Sequence, residues 1–208
     1  MRRVALSLLV VLAFASTGAI EAAPSAKPLS LRDRVLRTGE LTGFKRFGPP
    51  TAFIRARAWV SSGTGLTLKE VAARTARLRR EGFAALLSQQ LAPTRGSRDR
   101  GGLSWVMRLK SPAAARNELA AIRRYSQTDG KGLGRSFKAF PVPGIPRAQG
   151  FRLKRPGLVG DNVVFADGPF VYLVSTRWET YARRPPARAN LIGAARKLFR
   201  RVHGSPPA

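Results

Sequence analysis

Two apolar runs, Asn162 to Phe165 and Phe170 to Thr176, flank the pair Asp167-Gly168. Extended apolar residues on either side of a tight-turn dipeptide predict a β-hairpin. After an irregular stretch that ends at Pro185-Pro186, a helix is predicted from about Ala187 to Val202. The same order occurs upstream. Phe83 to Leu91 fits a continued helix or a strand, and reads as a strand because Gly82 interrupts the helix before it. Leu103, Trp105, Met107 and Leu109 line one face of a second. Ser111-Pro112 then supplies an N-cap and an N1 proline for a helix that buries Ala115, Leu119 and Ile122 and ends near Gln127. Strand-strand-helix written twice, with no residue-level repeat joining the copies, predicts an α+β fold. Its expected form is an antiparallel sheet with helices packed mainly on one face.

The remaining elements fit around that frame. Residues 23–38 read as a linker or short helix, with Leu31 to Arg37 as the helical part, and residues 39–203 as one domain. Thr51 to Ser61 alternates and predicts a strand. Thr67 and Glu70 form a capping box that opens a helix with the stripe Leu68, Val71, Thr75 and Leu78, closed by Gly82. Residues 93–102 read as a polar connection, Ser136 to Val142 as a strand, and Pro141 to Pro146 as a stiff loop. Gly204 to Ala208 reads as a disordered tail.

The N-terminus bears on where this fold forms. Arg2 and Arg3, the apolar core Leu6 to Ala15 and the small residues up to Ala23 have the layout of a secretory signal peptide, residues 1–22, cleaved after Ala22 or Ala23. The uncharged run Val4 to Ile20, 17 residues long, leaves an uncleaved membrane anchor as the alternative. A secreted chain without cysteine must be held by packing alone, and the same lack excludes a lipid-bearing cysteine, thiol nucleophiles and cysteine-bound metal. The single histidine, His203, excludes a histidine metal cluster or a Ser-His-Asp triad and reads as an exposed tail residue. No serine motif or phosphate loop appears, and Asp129-Gly-Lys-Gly-Leu-Gly134 matches neither nucleotide fingerprint. Asp33, Asp99, Asp129, Asp161 and Asp167 suit turns better than a glycosidase pair. The chain is expected to be non-enzymatic, without cofactor or metal.

Charge supplies the candidate sites. Among 208 residues, 38 are basic and 11 acidic, a formal net charge of +27, and 30 of the basic residues are arginine. Arginine's planar fork suits phosphate and carboxylate. On a strand, Phe53, Arg55, Arg57 and Trp59 project from one side, a face that could bind anions through arginine and stack sugars or bases on its rings. The packing rule for aromatic rings favours the alternative, a covered face with the arginines reaching out to solvent. The last helix sets Arg188, Arg196, Lys197, Arg200 and Arg201 beside the stripe Leu191, Ala195, Leu198 and Val202, with Arg183 and Arg184 ahead of it. Such a helix can lie on an anionic membrane, or dock on the sheet and present a cationic ridge.

Gly82-Phe83, Gly102-Leu-Ser-Trp-Val, Ser111-Pro112 with its Ala-rich helix, Val142-Pro-Gly-Ile-Pro146 and the run Asn162 to Tyr172 resemble uncharacterised secreted proteins of high-GC actinobacteria. The resemblance covers about residues 67–176 and is similar in layout to sensor-type domains found as lipoproteins or on receptor kinases. It implies an extracellular α+β domain and carries no ligand site.

Together these readings lead to a secreted, non-enzymatic binding or accessory module at the cell envelope, contacting anions through its arginine-rich surface. The expected partners are an anionic envelope polymer, acidic lipid head groups or an acidic protein, and no intracellular nucleic acid. The first alternative is an extracytoplasmic carrier of a small molecule or lipid held between sheet and helices, and the second is a hydrolase with an unrecognised site.

Overall fold

The computed structural model describes residues 29–62, 66–95, 99–128, 136–182 and 185–204. The predicted signal peptide, the Asp129 to Gly134 run, Arg183, Arg184 and the last four residues lie outside them.

A 3-10 turn, Leu31–Arg34, leads into β1 (Phe44–Arg46), β2 (Thr51–Phe53), α1 (Ala56–Ser61) and α2 (Leu68–Arg80). Then follow β3 (Ala85–Pro93), β4 (Arg100–Arg108), α3 (Pro112–Thr128), β5 (Ser136–Phe140) and β6 (Gln149–Arg155). The chain closes with β7 (Leu158–Asp167), β8 (Phe170–Glu179) and α4 (Arg188–Val202). All eight strands form one antiparallel sheet of order β1-β3-β4-β8-β7-β6-β5, with β2 also on β3. Among the described residues, three of the four α-helices share one face, so this is the α+β arrangement read from the sequence.

Strand alternation divides the sheet between two cores. One holds Leu87, Val106, Val163, Phe165, Tyr172 and Val174, covered by α4 and by Val35 and Leu36 of the N-terminal segment. The short helix expected near Leu31 is therefore built into the domain. The other core holds Leu86, Trp105, Met107, Phe151, Val171 and Leu173, covered by α1, α2 and α3.

Local chemistry accounts for the boundaries. Thr67 and Glu70 cap α2 reciprocally. At its other end Phe83 N–H donates to Leu78 and Gly82 N–H to Arg79, a Schellman closure with Gly82 at φ 66°. Ser111 Oγ accepts from the Ala114 amide at 3.1 Å to start α3. Asp167 and Phe170 face one another across the predicted hairpin.

Four expectations are corrected. The strand over Thr51 to Ser61 stops at Phe53, and Ala56–Ser61 is helical. Ala56 and Val60, four apart, are the residues this helix buries, so helical spacing prevailed over an alternation that Ala56 and Ala58 satisfied only by being small. Phe53, Arg55, Arg57 and Trp59 consequently do not share a strand face. Leu68 is 88% exposed, because the first turn of α2 reaches past the core. The connection over 93–102 is shorter than expected, since β3 continues to Pro93 and β4 begins at Arg100. A whole strand, β6, lies where none was predicted, joined to β7 through Pro156-Gly157 with Gly157 at φ 75°.

Candidate ligand-binding cleft

The face that carries α1, α2 and α3 changes character along the strands. At the hairpin end the register row is Leu86, Met107, Val171 and Ala166, apolar and covered by α3. The next row on this face is Ser88, Trp105, Leu173 and Val164, and the one after it Gln90, Leu103, Ser175 and Asn162. The last is Gly101, Arg177 and Gly160. Helices cover the first rows and leave the later ones open, forming a cleft of ≈ 1180 Å³ between sheet and helices. Typical small-molecule sites enclose about 300–1,000 Å³, so this volume accommodates a ligand larger than one ring.

Its walls are tied together. Phe53 meets Trp59 edge-on at 5.4 Å between ring centroids, and Trp59 meets Trp105 at 5.9 Å, forming a continuous aromatic side. Opposite, Arg77 of α2 grips Glu118 of α3 with both nitrogens of its fork and donates to the Tyr125 hydroxyl at 3.3 Å. The Arg74 guanidinium stacks on the Tyr125 ring at 3.9 Å. Burial pushes the Glu118 carboxyl above its ordinary range, against the pull of Arg77.

The lining is cationic. Arg74, Arg77, Lys154, Arg155 and Arg177 face two carboxylates, Glu70 and Glu118. Glu118 is held by Arg77, and Glu70 accepts from the Thr67 amide at 2.7 Å, which lowers its pKa. Arg177 is exposed and makes no hydrogen bond or ion pair with any described residue.

The residues singled out from sequence fall in several places. Phe53 and Trp59 line the cleft, while Arg55 and Arg57 are exposed outside its lining. The α4 residues occupy the opposite face. Arg196, Lys197 and Arg200 are exposed there, with the Arg196 guanidinium over Gly144. Arg188 is half-buried, 3.3 Å from Asp161 and over the Phe140 ring at 4.2 Å. Arg201 is taken up by the Glu40 carboxylate and the Asp33 and Val35 carbonyls.

No protein-family model matches the chain, and no curated protein matches it. Among solved structures, the extracellular domain of PknH from Mycobacterium tuberculosis is similar, with a TM-score of 0.52. The similarity is one of fold. It covers 84% of this chain and 99% of that one at 11% identity, which carries the architecture and no residue-level site.

Sequence reasoning missed the cleft floor: Ser88, Gln90, Asn162, Ser175 and Arg177. A signal was present in β8. Leu173, Ser175 and Arg177 turn polar along one face while Val174, Thr176 and Trp178 stay buried on the other. A central strand that loses apolar character on one face alone marks open space over that face.

Proposed function

We propose that this protein is a non-enzymatic binding or accessory module of the cell envelope whose ligand is held in the cleft between the sheet and α1–α3. The envelope setting rests on the signal-peptide pattern of residues 1–22. The observation that carries the cleft reading is the floor gradient, from Trp105 and Leu173 to Ser175, Asn162 and Arg177 in the middle of the sheet. Central strands normally pack apolar residues under helices, and polar floor groups facing open volume are the composition of a ligand site. The test is a titration with neutral N-phenyl-1-naphthylamine, whose fluorescence rises in apolar surroundings. Saturable binding that Ser175→Phe abolishes, with circular dichroism unchanged, is the expected result. No saturable binding, or binding indifferent to Ser175→Phe, overturns the reading.

A second reading, contact with anionic envelope polymer or lipid head groups, is favoured by the exposed ridge of Arg196, Lys197 and Arg200. Salt-sensitive binding to phosphatidylglycerol vesicles that the triple glutamine variant abolishes supports it. Vesicle binding that survives the variant counts against it.

A further inference from the structure

We propose that Arg177 anchors the anionic head of an amphipathic ligand whose apolar body lies against Trp105 and Trp59, an inference that rests on the cleft reading above. Arg177 sits in the last row of the open floor, on the central strand β8, with a glycine on each side in the register, Gly101 on β4 and Gly160 on β7. Its side chain lies across Gly101: a Cβ added there would stand 3.0 Å from Nε of Arg177. At Gly160 an added Cβ would meet only a backbone oxygen at 3.5 Å and the Asn162 amide nitrogen at 3.9 Å. Glycine inside a strand costs stability and commonly marks close approach by a ligand or another backbone. Gly101 gives the Arg177 side chain room to lie along the floor, and Gly160 leaves its other side without a covering side chain.

The arginines of the helical wall are differently committed. Arg77 is spent on Glu118 and Tyr125, and Arg74 stacks on Tyr125. Arg155, exposed and, like Arg177, unpaired among the described residues, lies on β6, two strands away and one register row beyond it. The next acidic residue on the Arg177 strand face, Glu179, forms no ion pair with it. A guanidinium without a carboxylate partner among the described residues, beside the Ser175 hydroxyl of the next row, suits a bidentate carboxylate, phosphate or sulfonate head.

The register also sets the ligand's length. From the row of Arg177 to the row of Leu173 and Trp105 is four residues, or ~13 Å along the strands. A ligand with its head on Arg177 thus reaches the Trp105 ring, where Trp59 extends the apolar wall.

Two probes that differ by one sulfonate test this: 1-anilinonaphthalene-8-sulfonate and neutral N-phenyl-1-naphthylamine. Arg177→Gln is expected to weaken the sulfonate probe about tenfold or more and to leave the neutral probe within about twofold. Arg32→Gln, an equal loss of charge on the exposed Leu31–Arg34 turn outside the cleft, leaves both within about twofold. If Arg177→Gln leaves the sulfonate probe unchanged, or weakens both probes equally, Arg177 is not the anchor although the cleft still binds. If neither probe binds the unsubstituted protein, the cleft reading falls and the anchor with it.

Discussion

Arg77 on α2 and Glu118 on α3 form a two-pronged ion pair, with Nη2 donating to Oε1 at 3.1 Å and Nη1 closing the second contact. Glu118 is 4% exposed, so the pair clamps two helices together while forming a wall of the cleft. Arg77→Met strands a buried carboxylate and should cost about 3–5 kcal/mol, whereas replacing both partners with apolar residues of similar volume recovers most of it. Urea unfolding of the single and double variants checks this. An additive double variant contradicts it.

The same pair predicts a pH dependence. Burial raises the Glu118 pKa in the folded state above its ordinary 4.5. Between those two values the folded protein holds the proton that the unfolded chain has released, so stability falls as pH rises. Relative to Glu118→Gln, the unfolding free energy should therefore decline as pH rises through the window above 4.5. A difference that grows with pH would refute the assignment.

On the other face, Asp161 is fully buried and accepts from Arg152 at 2.7 and 2.8 Å and from Arg188 at 3.3 Å. Arg188 opens α4, so this carboxylate fixes where that helix lands. Asp161→Asn weakens two charge-assisted contacts at once, at about 1–3 kcal/mol. Amide hydrogen exchange should accelerate at Asn190 and Leu191 more than at Leu198. Uniform acceleration along α4 would mean Asp161 does not position its start.

Gly82 closes α2 at φ 66°, and a Cβ there would come within 2.6 Å of the Lys110 Cβ. Gly82→Ala should cost at least about 1–2 kcal/mol for the left-handed backbone alone. Thermal unfolding reads this as a lower Tm, and an unchanged Tm contradicts it.

The Tyr172 hydroxyl accepts from Arg34 Nη1 at 2.9 Å, deep in the α4-side core. Burial pushes its pKa up to about 12 from an ordinary 10.0. The unfolded chain ionises first, so stability is lost between those pH values, by about 2–3 kcal/mol. Tyr172→Phe should abolish that component in alkaline denaturation. A profile identical to the unsubstituted protein's counts against it.

Legibility in the sequence followed the strength of local chemistry. Gly82, the Thr67–Glu70 box, Ser111-Pro112 and the Asp167-Gly168 hairpin each act within a few residues, and each was readable. Helix α1 was not, because Ala56 and Val60, four apart, fit a period of two and of 3.6 alike, and only packing decides between them. Strand β6 was missed because its alternation is short, with only Phe151 and Leu153 apolar on one face against Arg152 and Lys154 on the other, although Pro156-Gly157 marked its turn. The cleft is a property of register: Gly101, Arg177 and Gly160 are adjacent only because β4, β8 and β7 pair as they do. No spacing along the chain encodes that row. The arginine excess pointed to anions, but pairing of Arg77, Arg152, Arg188 and Arg201 uses up several of the cations that composition counts as equivalent.

Mapping backbone amide shifts by two-dimensional NMR during titration with 1-anilinonaphthalene-8-sulfonate tests the central claim most directly. The account predicts shifts concentrated at Gln90, Leu103, Asn162, Ser175 and Arg177, with α4 unmoved. Shifts concentrated at Arg196, Lys197 and Arg200, or none that saturate, would contradict it.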